Sequence, residues 1–182
     1  ILASLSKGQS TIHNLSRCKD VQRTINILKS CGVVITKNHA GAIIINGGKK
    51  LIATKKRFYC GNSGSTARFM LGFLPTQGIS GTLYGDRSLS KRPMHYIIEP
   101  LKKMNVQITS DLRTLPISFN ASSPIAYNHV LATPSAQVKT ALILSSLACN
   151  GKTIIKDNFN TRNHTERLIE YLGYKDNKGY SK

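Results

Sequence analysis

Two loops carry the residue types and spacing best suited to chemistry. Residues 60–66 (Cys-Gly-Asn-Ser-Gly-Ser-Thr) and residues 133–137 (Thr-Pro-Ser-Ala-Gln) each run directly into an apolar segment. If those segments are helices, their free backbone N–H groups and the Ser and Thr hydroxyls could bind an anion. Ser, Thr and Asn are also ordinary helix N-caps. Because the pattern recurs at equivalent places in a repeated sequence, we favour anion binding over capping alone.

A third loop, residues 85–94, adds positive charge. Arg87, Lys91 and Arg92 lie within six residues, just before a segment with helical spacing of apolar residues. Cations are unfavourable at the positive end of a helix dipole unless an anion compensates them. Arg92 is the best candidate for that contact, because a planar guanidinium can hold a carboxylate or phosphate with two hydrogen bonds. A solvated basic loop is the alternative interpretation.

The elements that must position these loops form a repeat with a period of roughly 70 residues. Residues 1–5 (Ile-Leu-Ala-Ser-Leu) reappear as residues 143–147 (Ile-Leu-Ser-Ser-Leu), and residues 28–36 resemble residues 101–109. We expect one α/β domain of three pseudo-repeated helix-strand-helix-strand-strand units, about residues 1–52, 53–125 and 126–182. The first helices of units two and three, residues 67–74 and 138–147, are apolar nearly all round, which predicts buried helices with sheets outside.

The other elements are predicted from apolar spacing and from Gly and Pro positions. Second helices are expected at residues 19–31, from about Pro93, and at 164–172, and strands at 33–36, 42–46, 106–109 and 116–120. Pro100 should kink its helix or cost a hydrogen bond. We interpret His164 as a capping or packing residue. Residues 174–182 are polar without strand periodicity, so we expect an irregular end, with both the first and the third unit cut short.

Composition limits the classes of function. The chain has 26 Lys and Arg against 8 Asp and Glu, a formal net charge of +18, which favours an anionic metabolite or a nucleic acid as partner. Its four cysteines lack metal-site spacing, so we expect reduced thiols, no metal and a cytoplasmic location. The apolar runs are far shorter than the ~20 residues of a membrane span, so no membrane partner is expected.

Four motifs together resemble one family. Residues 61–68, 85–94, 135–139 and 161–167 resemble 5-enolpyruvylshikimate-3-phosphate (EPSP) synthases, in consistent order over nearly the whole chain. The resemblance implies transfer of the enolpyruvyl group of phosphoenolpyruvate to the 5-hydroxyl of shikimate 3-phosphate, without metal or organic cofactor, in chorismate and aromatic amino-acid synthesis. It also implies a fold of two domains, each with three helix-and-strand units around buried helices. This chain would then be most of the N-terminal domain, with the second domain absent.

Carried over residue by residue, the resemblance implies two groups of substrate contacts. The phosphoenolpyruvate contacts would be Gly64, Arg92 and Gln137. The shikimate 3-phosphate contacts would be Ser135, Ala136, Gln137 and Thr161. Asn62 and Arg68 would shape the Gly64 loop. Both substrates are polyanions, which suits guanidinium groups and helix N-termini. Asn163 departs from the Asp usual in the family's Arg-Asp-His-Thr-Glu string.

Several parts that the family uses have no counterpart in this sequence. They are a Lys-Ser and an Arg before the first helix, and an acid-base Asp and Glu in the second domain. General acid-base catalysis needs positioned proton carriers, and we find no candidate pair here. We therefore expect no catalytic residue in this chain, the missing domain as its partner, and no activity of the chain alone.

Three alternatives stay open. A UDP-N-acetylglucosamine enolpyruvyl transferase would carry a Cys in the loop equivalent to residues 87–91, where this chain has none. RNA 3′-phosphate cyclases share the folding unit but lack the loop motifs. A basic nucleic-acid-binding module is the non-enzyme alternative, and residues 55–59 mix basic and aromatic types as such a patch would. A strand with one basic edge explains that stretch more simply, so nucleic acid is not expected as a partner.

Overall fold

Helices alternate with short strands along the chain in this computed structural model, which describes residues 1–110 and 113–173 and the backbone of residues 179–181. The helices are α1 (Leu2–Leu5), α2 (Lys19–Ser30), α3 (Gly64–Phe73), α4 (His95–Lys103), α5 (Ala136–Ser146) and α6 (His164–Tyr171). The strands are β1 (Gly8–Ile12), β2 (Val34–Lys37), β3 (Ile43–Gly47), β4 (Arg57–Tyr59), β5 (Gly81–Tyr84), β6 (Ile108–Thr109), β7 (Ile117–Phe119), β8 (His129–Val130), β9 (Lys152–Lys156) and β10 (Gly179–Ser181). The mixed α/β class is as predicted.

The strands form three small sheets. One has the order β1-β3-β2 and is antiparallel, with Ser10 opposite Ile45. A second has the order β4-β5-β7-β6, in which β4 and β5 are parallel, so both end on the same side, at Tyr59 and Tyr84. The third has the order β10-β9-β8 and is parallel. The two parallel strands of the second sheet lead directly into the 60–64 and 85–92 loops.

The core is built around α3 and α5. Met70 and Leu71 of α3 and Ala141 and Ile143 of α5 are fully buried, as expected for helices that are apolar on all sides. Gly72 permits their close approach, because a Cβ there would lie 2.3 Å from the backbone oxygen of Ala141. Among the helices described, none is long and apolar enough to cross a membrane.

The start of one helix differs from the expectation by two residues. Helix α4 begins at His95 rather than near Pro93, because the Met94 amide donates to the Arg113 carbonyl at 2.8 Å and holds Met94 outside the helix. Pro100 lies inside α4 without ending it, at the cost of one backbone hydrogen bond. His164 is the first residue of α6, where that helix was predicted to begin, and its exposed side chain makes no capping hydrogen bond to the described residues, so the capping alternative is not observed.

The end of the chain corrects another expectation. Gly179–Ser181 forms a strand that pairs in parallel with residues 152–154 of β9, where we expected irregular chain. A three-residue edge strand needs only the backbone hydrogen-bonding groups of its neighbour, so polar side chains without periodicity gave no signal. The same expectation for residues 174–178 and for residue 182 lies outside the described residues.

Candidate functional site

The loop before α3 places two guanidinium groups against one glycine. The Ser63 side chain caps α3 by accepting from the Thr66 amide at 3.1 Å, which fixes where the helix begins. A Cβ on Gly64 would lie 2.5 Å from Nη1 of Arg68 and 3.3 Å from Nη1 of Arg92. Gly64 is therefore the residue that leaves room for both cations.

Arg92 reaches this loop from the neighbouring segment. Its guanidinium donates to Oδ1 of Asn62 at 2.6 Å, although Arg92 itself is exposed. The Asp86 side chain accepts from the Leu89 amide at 2.8 Å, which shapes the turn that precedes Arg92. Asn62 was expected to shape the Gly64 loop; the contact that the structure shows is between its side chain and the Arg92 guanidinium.

Arg68 lies at the centre of a hydrogen-bond network that joins three helices. Its guanidinium donates to Oε1 of Gln137 at 2.9 Å and to the hydroxyl of Tyr96. The Gln137 amide nitrogen in turn donates to Oγ of Ser65 at 2.7 Å. We call Ser65, Arg68, Tyr96 and Gln137 the Arg68 network. Arg68 is only 5% exposed, so this contact between α3, α4 and α5 is part of the core.

Among the described residues, neither Arg68 nor Arg92 has an acidic partner. Over residues 1–110 and 113–173, no carboxylate lies within ion-pair distance of either guanidinium. Buried or partly buried charges are normally paired, because desolvation of an unpaired charge is costly. Two guanidinium groups that no carboxylate of the described residues compensates, beside a helix N-terminus, form a site that attracts an anion.

The N-terminus of α5 adds neutral donors. Ser135 is the N-cap and accepts from the Val138 amide at 3.3 Å, and Ala136 is the first helical residue. The next residue, Gln137, belongs to the Arg68 network. The structure therefore brings Asn62, Gly64, Arg68, Arg92 and Gln137 together, with Ser135 and Ala136 adjacent along the chain.

Thr161 belongs to a second cluster, on a different part of α5. Its hydroxyl donates to Oδ2 of Asp157 at 2.6 Å, and the Lys139 ammonium lies 2.9 Å from the same oxygen. Lys139 also contacts Oε1 of Glu166 at 2.7 Å. We call these four residues the Lys139 cluster. No hydrogen bond in the described parts of the chain joins it to the Arg68 network, and α5 is their common support.

The surroundings of Lys139 and Asp157 favour the charged form of each side chain. Burial acts to raise the pKa of Asp157, but hydrogen bonds from Thr161 and Lys139 outweigh it and hold that pKa well below the ordinary range. Burial acts to lower the pKa of Lys139, but Glu166 and Asp157 outweigh it and raise that pKa. The paired charges stay in place at neutral pH and hold Thr161 in a fixed position.

Sequence reasoning included Ser65 only as one hydroxyl of the 60–66 loop, missed Tyr96 and gave Lys139 no role. Lys139 could have been found, because it is the one charge in an apolar helix and a buried ammonium requires a partner. Tyr96 gave no local signal, since its partner Arg68 lies 28 residues earlier in the chain. Within the described residues, no group of three His, Cys, Asp or Glu side chains could hold a metal ion.

The fold and the site define a mixed α/β protein with two arginines beside the N-terminal end of a buried helix. The family described as EPSP synthase (3-phosphoshikimate 1-carboxyvinyltransferase) matches residues 1–179. The chain therefore belongs to the EPSP synthase family.

Individual relatives give the extent of the match. A 3-phosphoshikimate 1-carboxyvinyltransferase of Oceanobacillus iheyensis is 38% identical over 176 residues, which are 95% of this chain and 41% of that protein. One of Thermotoga neapolitana is 37% identical over 176 residues, with the same coverage. The solved EPSP synthase of Acinetobacter baumannii superposes with a TM-score of 0.89 at 32% identity, covering 95% of this chain and 40% of that one. The chain thus spans about two fifths of the length of these relatives.

Proposed function

We propose that this chain forms the anion-binding part of a 3-phosphoshikimate 1-carboxyvinyltransferase. In that reaction the 5-hydroxyl oxygen of shikimate 3-phosphate forms a bond to C2 of phosphoenolpyruvate. The bond from C2 to the phosphate oxygen breaks, and the hydroxyl proton leaves with inorganic phosphate. The relatives are named for this activity, and this chain matches 41% of their length. The chain would therefore supply part of the active site.

One observation carries the proposal. Arg68 and Arg92 converge on Gly64 without a carboxylate within ion-pair distance in the described chain. A phosphate or carboxylate placed there would receive charge-assisted hydrogen bonds, the stronger kind, from the exposed Arg92, and the positive potential of the buried Arg68 and the helix dipole of α3 would add to the attraction. Phosphoenolpyruvate carries both groups on a small frame.

The two substrates divide the site residues between them. Gly64, Arg92 and Gln137 are assigned to phosphoenolpyruvate, because they lie in and beside the cationic loop. Ser135, Ala136, Gln137 and Thr161 are assigned to shikimate 3-phosphate, because they belong to α5 or are held against it. In this arrangement Gln137 contacts both substrates and orients them without adding charge.

No residue in this chain is assigned to proton transfer. Asp157 and Glu166, two acidic residues near α5, are committed to the Lys139 ammonium at 2.9 and 2.7 Å. A carboxylate that is already paired with a buried ammonium is poorly placed to accept a proton from a substrate and return it. The proton carriers would come from the part of the relatives that this chain does not cover. That part is the proposed partner of this chain, and the chain alone would be inactive.

The proposal includes a finer description of the fold. The elements follow the same order, helix-strand-helix-strand-strand, from α1 to β3 and from α3 to β7, and a third series begins at α5. We interpret these as three pseudo-repeated units, each with a sheet of its own, in a single domain over residues 1–182. A cytoplasmic location and the absence of a nucleic-acid partner belong to the same interpretation.

Isothermal titration of the folded chain with phosphoenolpyruvate tests the proposal. Arg92→Ala should weaken binding at least about tenfold, the loss of roughly one charge-assisted contact. Arg87→Ala is the matched control, because Arg87 is an exposed arginine of the same loop, and it should leave binding within about twofold. Equal effects of the two variants would indicate a diffuse basic surface and would overturn the assigned site.

A further inference from the structure

The Gln137 side chain has one allowed amide orientation. Arg68 can only donate hydrogen bonds, so the Gln137 atom that lies 2.9 Å from its guanidinium must be the oxygen. The amide nitrogen then lies 2.7 Å from Oγ of Ser65 and uses one of its two N–H groups there. Its second N–H has no acceptor among the described residues and is available to a ligand.

Arg68 is in turn fixed by α4. Its second terminal nitrogen donates to the Tyr96 hydroxyl and lies 3.5 Å from the Pro93 carbonyl oxygen. The guanidinium carbon lies 5.3 Å from the centroid of the Tyr96 ring, which adds a cation–π contact. Because Arg68 is 95% buried by these neighbours, it cannot take another rotamer without breaking contacts in the core.

We propose that Tyr96 and Arg68 are positioning residues that hold the Gln137 amide with its nitrogen toward phosphoenolpyruvate. This inference rests on the proposed function. A flipped amide would present its oxygen to the anion and its N–H groups to the guanidinium, so both contacts would become unfavourable. The role requires no contact between Tyr96 and substrate, since Tyr96 acts through Arg68 and Gln137.

The Arg68 network also explains how the uncharged Gln137 side chain can contribute to anion binding. The positive charge of Arg68 polarises the amide through its oxygen, which strengthens the remaining N–H as a donor. The positive potential of Arg68 thus acts on the ligand through the polarised Gln137 amide, while the guanidinium itself stays in the core. Ser65 completes the orientation by accepting from the same amide nitrogen.

The first test needs no ligand. The side-chain amide signals of Gln137 are followed by ¹⁵N–¹H NMR in the wild-type chain, in Tyr96→Phe and in Tyr127→Phe as the matched control. Tyr127 is a half-exposed tyrosine whose ring packs against His129, outside the Arg68 network. Tyr96→Phe should shift both amide protons and increase their exchange with water, and Tyr127→Phe should leave them in place. Unchanged Gln137 signals in Tyr96→Phe would overturn the proposal.

The second test separates positioning from a merely structural role. Tyr96→Phe should weaken phosphoenolpyruvate binding about tenfold in the wild-type background and not further in the Gln137→Ala background. Equal losses in both backgrounds would show that Tyr96 does not act through Gln137. Arg68→Lys keeps the positive charge but loses the forked contact of the guanidinium. The Arg68→Lys variant should therefore bind phosphoenolpyruvate more tightly than Arg68→Met and more weakly than wild type.

The two claims fail in different ways. If Arg92→Ala and Arg87→Ala bind phosphoenolpyruvate equally, the proposed function fails, and the amide signals still decide whether Tyr96 orients Gln137. If Arg92→Ala behaves as expected but Tyr96→Phe binds as wild type does, the positioning role alone is wrong.

Discussion

The guanidinium of Arg68 donates to the side-chain oxygen of Gln137 at 2.9 Å. This hydrogen bond connects the N-terminal half of α3 with the first turn of α5. The two residues are 69 positions apart in the chain. Together with the hydrogen bond from Gln137 to Ser65, this polar contact fixes the mutual register of the two helices.

Gln137→Glu should separate stability from binding. A carboxylate at this position would pair with the Arg68 guanidinium, so the free energy of unfolding should be unchanged or rise by up to about 1 kcal/mol, the difference between a charged and a neutral hydrogen bond. Phosphoenolpyruvate binding should fall more than about tenfold, because an anion replaces an N–H donor. Urea unfolding and isothermal titration measure the two effects. Unimpaired binding would contradict the assignment of Gln137.

Substitutions of Arg92 and of Ser135 should weaken the binding of different substrates. Arg92→Ala should weaken phosphoenolpyruvate more than Ser135→Ala does, since a charge-assisted hydrogen bond contributes about 1.5–3 kcal/mol and a neutral one about 0.5–1.5. Ser135→Ala should act mainly on shikimate 3-phosphate. Arg92→Lys should recover only part of the loss, because an ammonium lacks the planar fork. Titration of each variant with each substrate tests this division, and a reversed order would refute it.

Gly72→Ala should destabilise the helix pair at the core. The added Cβ would lie 2.3 Å from the Ala141 oxygen, a backbone atom that cannot move without shifting α5. We expect a loss of about 1–3 kcal/mol in the free energy of unfolding, measured by urea denaturation. Gly78→Ala is the control for backbone strain alone, because φ is +79° there and the new Cβ meets nothing within 4 Å. It should cost about 1 kcal/mol, and a larger loss than in Gly72→Ala would contradict the close packing.

Acid should weaken the Lys139 cluster. The folded state holds the pKa of Asp157 below that of the unfolded chain, about 3.9. Its contribution to stability is therefore complete above about pH 4 and is lost as the pH falls further toward the folded-state value. Asp157→Asn should cost about 1–3 kcal/mol at pH 7 and flatten the loss of stability below about pH 4. Asp20→Asn, at an exposed aspartate, is the control and should leave the acid slope intact.

The sequence allowed the buried helices to be predicted, for a physical reason. A helix that is apolar on every face, such as α5, can be stable only inside a core, and Gly-, Ser- and Asn-rich loops mark where such helices begin. That Gly64 and Arg92 would share a site was implied by the family resemblance and not by this reasoning, and the 60–66 and 85–94 loops do meet where Arg92 contacts Asn62.

What could not be predicted depends on contacts between distant segments. The partners of Arg68 are Gln137 and Tyr96, and nothing near Arg68 in the sequence indicates them. The strand Gly179–Ser181 forms because β9 offers an open edge, which local side-chain patterns do not record. His164 resembled a cap by position, yet a cap requires a hydrogen bond that its exposed side chain does not make.

Phosphate release from phosphoenolpyruvate and shikimate 3-phosphate tests the central claim most directly. It is measured for the chain alone and for a hybrid in which the chain replaces the matching 41% of the Oceanobacillus iheyensis relative. We expect no release by the chain alone and release by the hybrid that depends on shikimate 3-phosphate and is strongly reduced by Arg92→Ala but not by Arg87→Ala. Turnover by the chain alone, or a folded hybrid that releases no phosphate, would contradict the account.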